Sequence, residues 1–246
     1  MFNFKFLLTA VFFLVTNTSV LTFPTPVFAQ TAYDKIEAGN TISGGIKLGA
    51  FSSTMPLPPG QWQVLAVTPD KIRLDNGSFA ARLNYFLKDP TGLSPIHSLL
   101  VTITPDSANN VNWTNAPCQS KATKAIAVED FGTNPNSLSY ACAVARKQIP
   151  LKSLVAGAAT SKNSFVKNFL GLMAQDGQIP EEVVELWMVA NKYRGRQMRL
   201  TMFLRADGGE AETAAAIKAY VRETGQSMLN FLGGQEASLS LPMIQR

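Results

Sequence analysis

Five cations and no acid occupy the stretch from Lys192 to Arg205: Lys192, Arg194, Arg196, Arg199 and Arg205. Tyr193 lies among them and Trp187 close by. Desolvated arginine grips carboxylate or phosphate bidentately, so this cluster could meet an anionic envelope component or an acidic face of another exported protein. Lys192, Tyr193, Arg194, Arg196 and Arg199 are therefore the candidate ligand-binding residues. The same composition also serves a hairpin tip that stays in water and keeps its edge unpaired.

The rest of the catalytic inventory is thin. His97 is the only histidine, in Pro95-Ile-His-Ser98. A Ser-His-acid site needs an imidazole beside an activated nucleophile, and no Gly-x-Ser-x-Gly elbow presents one. Cys118 and Cys142 with that one histidine leave too few ligands for zinc, so no metal and no cofactor is assigned. Glu181, Glu182 and Glu185 follow Pro180, and Glu129 adjoins Asp130. Glycoside hydrolysis needs two carboxyl groups held across a cleft. Neighbours on one element do not supply that, so a hydrolase would need distant acids such as Glu129 and Glu185 to converge. Gly44-Gly45 and Gly208-Gly209 lack the spacing and the lysine of a phosphate loop. A modest positive charge without a recognition motif argues against nucleic acid.

These residues belong to a chain with the marks of export. Met1–Lys5 carries one positive charge and no acid, Phe6–Val15 is almost wholly apolar, and Pro24-Thr-Pro26 precedes Val27-Phe-Ala29. That order matches a signal peptide cleaved after Ala29. The apolar run is about half the roughly 20 residues of a spanning helix. Removing Lys5 takes the net charge from +5 to +4. Residues 30–246 suit one domain, and no later stretch is long enough to cross a bilayer. In such a compartment the two cysteines read as a disulfide closing an excursion at 118–142. The expected location is periplasmic or secreted.

The positioning elements follow from periodicity. Pro56–Gly60 is a stiff turn feeding a strand at Gln61–Val67. Asn76-Gly77 reads as a hairpin centre between Lys71–Asp75 and Ser78–Lys88. In the latter, Phe79, Ala81, Leu83, Tyr85 and Leu87 alternate with Ala80, Arg82, Asn84, Phe86 and Lys88, the period of a strand. Further strands are expected at Ser98–Thr104, Lys124–Glu129 and Ser139–Arg146. A second hairpin is expected from Glu185–Tyr193 and Arg196–Arg205 around Arg194-Gly195. A shorter helix should start near Ser164, capped by Asn163 or Ser164. A long one should run from Glu210 to Leu232, where Ala214, Ile217, Val221, Thr224, Met228 and Phe231 form one stripe. The predicted fold class is α+β: an antiparallel sheet of hairpins backed by both helices.

Leu57-Pro-Pro-Gly-Gln-Trp62, followed by strands, a cysteine pair and a C-terminal hairpin and helix, resembles a group of exported bacterial proteins. These carry Leu-Pro-Pro-Gly-x-Trp at the same early place. The resemblance implies no activity. Residue types and address together predict a non-enzymatic accessory or binding domain of the bacterial envelope, the alternative being a carboxylate-dependent cell-wall or glycan hydrolase.

Overall fold

The computed structural model describes residues 36–47, 54–73, 79–104, 118, 125–131, 140–160, 162, 164–174, 179–191, 197–205, 210–232 and 239–240. All belong to one unit, Ala32–Arg246. The predicted leader, 1–29, lies outside them.

The α+β class is what the structure shows. The strands are β1 (Thr41–Ile42), β2 (Gly45–Lys47), β3 (Thr54–Pro56), β4 (Trp62–Arg73), β5 (Phe79–Lys88), β6 (Ile96–Ile103), β7 (Ala125–Phe131), β8 (Tyr140–Ile149), β9 (Val183–Asn191) and β10 (Gln197–Arg205). Among the described residues, eight form one antiparallel sheet in the order β1-β4-β5-β6-β10-β9-β8-β7, and β2 pairs with β3. The helices are α1 (Leu151–Gly157), α2 (Ser164–Ala174) and α3 (Glu210–Leu232).

Alternation sorts each strand's side chains onto two faces. One face joins Tyr85, Leu87, Val101, Leu200 and Met202 to the buried stripe of α3, Ile217, Val221 and Met228. Helix α3 lies against β7, β8 and β9, which contribute Ala127, Ala141, Ala143, Ala145 and Ala190 to that core. Small side chains there let the helix approach the sheet. Thr224, inside the stripe, donates its hydroxyl to the Tyr220 carbonyl at 2.6 Å, which satisfies a buried polar group locally.

The second face carries α1 and α2 over Phe86, Leu100 and Phe203. Phe169 of α2 stacks between Phe86 and Phe203, with ring centroids 5.2 and 5.3 Å away. Helix α1 is a finding the sequence pattern did not announce: its seven residues are too few for a clear 3.6-residue period.

One loop and one edge strand show why their residues are there. The indole N–H of Trp62 donates to the Pro58 carbonyl at 2.8 Å, and Gly60 takes φ 128°, a conformation closed to ordinary side chains. Leu57–Trp62 thus folds back on itself and buries its tryptophan. Strand β4 is continuous through Pro69, where two shorter strands were expected. Beyond Gln63 no described strand pairs with its outer side, so the missing proline N–H costs no ladder bond there. The centres expected for both hairpins, Asn76-Gly77 and Arg194-Gly195, lie outside the described residues. The last described pairs are Arg73↔Phe79 and Asn191↔Gln197.

Candidate anion-binding site

The helix-α2 face of the sheet changes character along its strands. Register places Thr68, Asn84, Thr102 and Arg199 side by side across β4, β5, β6 and β10. The row continues through Val189 of β9 to Cys142 of β8. Two apolar clusters border the polar part of this row. Alongside it lie Phe86 and Leu100 under α2. At its β9–β8 end, Cys118 and Cys142 pack with Val144, Trp187 and Val189.

Most polar groups of the patch satisfy one another. Thr102 donates its hydroxyl to Asn84 Oδ1 at 2.8 Å. Arg82 grips Asp70 through both Nε, at 2.9 Å from Oδ2, and Nη2. Burial opposes the ionisation of Asp70. The Arg82 and Lys71 hydrogen bonds and the charge of Arg82 outweigh it and hold the carboxyl below the ordinary aspartate value.

Two groups are left over. Arg199 Nε and Thr104 Oγ1 are buried without a hydrogen-bond partner. Thr104 extends β6 by one position, its N–H donating to the Gln197 carbonyl at 2.9 Å. It is therefore the diagonal neighbour of Arg199, whose direct partner is Thr102. Arg199 lies over the Trp187 ring, 4.9 Å from its centroid. Among the described residues no carboxylate pairs with Arg199. Burial, and then the charge of Arg82, push its pKa down, yet a guanidinium stays charged in a protein. Among the described residues the patch therefore holds one desolvated positive charge with no counter-charge, and its surroundings can accept an oxyanion.

Of the residues singled out from sequence, the structure places Arg199 here, turned onto the sheet face and not out at a tip. Lys192, Tyr193, Arg194 and Arg196 lie outside the described residues. Trp187, noted only for its proximity, is the platform. Arg205 is structural: its Nε donates to the Ser94 carbonyl at 3.2 Å. Cys118 and Cys142 form the expected disulfide, with Cα atoms 6.1 Å apart. His97 is buried where the β6–β10 register shifts, its Nδ1 3.1 Å from Ser98 Oγ.

Among the described residues the acids do not gather. Glu181 and Glu182 are exposed at the start of β9. Glu185 Oε2 lies 2.9 Å from Arg146 Nε without an aligned hydrogen bond, an ion pair by distance. Glu129 takes the register position opposite Ala143, on the α3 face, while Glu185 is opposite Arg146 and Phe203 on the other. No three His, Cys, Asp or Glu side chains among the described residues come together as a metal site.

Sequence reading missed Thr104, Arg82, Asn84 and Thr102. One signal was present: the off-phase set of β5 begins with Ala80, Arg82 and Asn84 and turns apolar only at Phe86. No family model, curated protein or solved structure matches this chain.

Proposed function

We propose that this chain is an exported, non-enzymatic binding domain of the bacterial envelope that holds an anionic ligand at Arg199. The leader-like Met1–Ala29 and the Cys118–Cys142 bridge support the address, since disulfides persist in oxidising compartments. No described helix is long and apolar enough to cross a membrane. The observation that carries the binding role is the Arg199 guanidinium, buried at Nε without a partner. A desolvated charge left uncompensated is destabilising, and a ligand that supplies the counter-charge removes the cost.

Arg199→Met separates this role from packing. Methionine keeps the apolar stem and removes the charge. Relief of the buried charge and loss of its attraction to Trp187 oppose each other, so the free protein's stability should shift by no more than about 1 kcal/mol. Retention on isolated bacterial envelopes should fall at the same time. Thermal melting and a sedimentation assay read the two effects. Unchanged retention overturns the reading, whatever the melting temperature does.

A further inference from the structure

Resting on that reading, we infer that the ligand group is a monovalent oxyanion, a carboxylate or a phosphodiester, accepting from the Arg199 Nε edge and from the Thr104 hydroxyl. The donor set fixes the polarity. Arginine only donates, and a threonine hydroxyl can donate or accept. A group that meets both atoms must accept from Arg199, which excludes a cation. Both orphaned atoms lie on one sheet face, at diagonal positions of adjacent strands, a separation of roughly 7–8 Å between main chains that long side chains span.

Charge counting fixes the valency. Asp70 already neutralises Arg82, and two rows from Arg199 on the same face Arg146 neutralises Glu185. Asn84 and Thr102 spend their nearest capacity on each other. Among the described side chains of the patch, what remains is one positive charge. A monoanion cancels it, whereas a dianion brings a second negative charge into a partly desolvated place, where it is costly. Trp187 limits the approach. Its ring centroid lies 4.9 Å from Arg199 Cζ, which closes that side of the guanidinium to an anion. Two coplanar oxygens suit an Nε–Nη edge. A carboxylate has them, and so do the non-bridging oxygens of a phosphodiester.

The test is NMR titration of the disulfide-intact protein with sodium octanoate, dimethyl phosphate and sodium sulfate at matched ionic strength. The Arg199 Nε–H and the Thr104 amide are the reporters. At least one monoanion should bind, with sulfate roughly tenfold weaker or more. Arg199→Lys should weaken monoanion binding by roughly tenfold, because the planar fork is lost. Thr104→Val, isosteric and fold-preserving, should weaken it about fivefold. Octanoate binding above dimethyl phosphate assigns a carboxylate source, and the reverse order assigns a phosphodiester such as a lipid headgroup. Sulfate binding as tightly as either, or Thr104→Val without effect, overturns the inference. If no probe binds while envelope retention still depends on Arg199, the monoanion inference fails and the binding-domain reading stands. If retention ignores Arg199 as well, both fail.

Discussion

The guanidinium of Arg199 lies over the ring of Trp187, one strand away and diagonal in register. Direct partners in the ladder are Arg199↔Val189 and Thr201↔Trp187, so the contact is one that only long side chains make. A desolvated cation over indole is worth about 2 kcal/mol. That attraction holds the charged group on the sheet face.

Trp187 should therefore matter twice. It is buried beside the disulfide, so Trp187→Ala should cost about 3–5 kcal/mol in urea unfolding. Trp187→Phe keeps a ring and should cost well under half of that. Both should loosen Arg199, visible as a narrower, more solvent-like Nε–H resonance. An alanine variant that loses less than about 1 kcal/mol would mean that the ring is not part of the core.

The Cys118–Cys142 bridge ties the β6–β7 connection onto the same cluster. Its cysteines are 24 positions apart. Closing a loop of that size removes unfolded-chain entropy worth about 3 kcal/mol. Cys118→Ala with Cys142→Ala should lower the urea midpoint by a corresponding amount, and reductant should do the same to the wild type. Identical midpoints with and without reductant would show that the bridge contributes nothing.

Acid sensitivity should centre on Asp89, buried in the β5–β6 connection. Burial opposes its charge. The Thr91 hydroxyl at 2.7 Å, the Ser94 and Thr91 amides at 2.7 and 2.9 Å, and behind them the charge of Arg205 outweigh it. Its pKa is therefore below the ordinary value. Gly92, at φ 70°, lets the chain curl around this carboxylate. A depressed folded pKa gives stability that is complete above the unfolded value, about 3.9. It is lost as pH falls through the lower folded value. Thermal melts of wild type and Asp89→Asn should differ most near pH 6 and converge toward pH 3. A constant gap across that range would exclude this linkage.

Much of the scaffold was legible because its signals were local. Alternation from Phe79 to Lys88 coincides with β5, and the three-and-four spacing from Glu210 to Leu232 with α3. Arg199 was picked out by its charge, though its neighbours in sequence suggested a solvated tip. What sequence did not show was register. Thr104, Arg82 and Asn84 are far from Arg199 along the chain, and only the order β5-β6-β10 sets them beside it. A single-residue shift in any of those ladders would put them on opposite faces. Nor does sequence reveal which arginine lacks an acid: Asp70 reaches Arg82 across β4 and β5, and among the described residues no comparable acid stands opposite Arg199.

That difference gives the last prediction. Asp70 lies opposite Arg82 and keeps the patch at one uncompensated charge. Asp70→Asn retains the shape and the acceptor oxygen but releases the charge of Arg82, which already bears on Arg199. The pair is partly exposed, so the direct stability cost should be small, within about 1 kcal/mol. Selectivity should move much more. With two free guanidinium charges on one sheet face, sulfate should gain several-fold in affinity while octanoate changes little. Raising salt should erode the gain, since Arg82 is within reach of solvent ions. If sulfate gains nothing, Arg82 is too far from the bound anion to set its valency, and the preference must come from Arg199 and Thr104 alone.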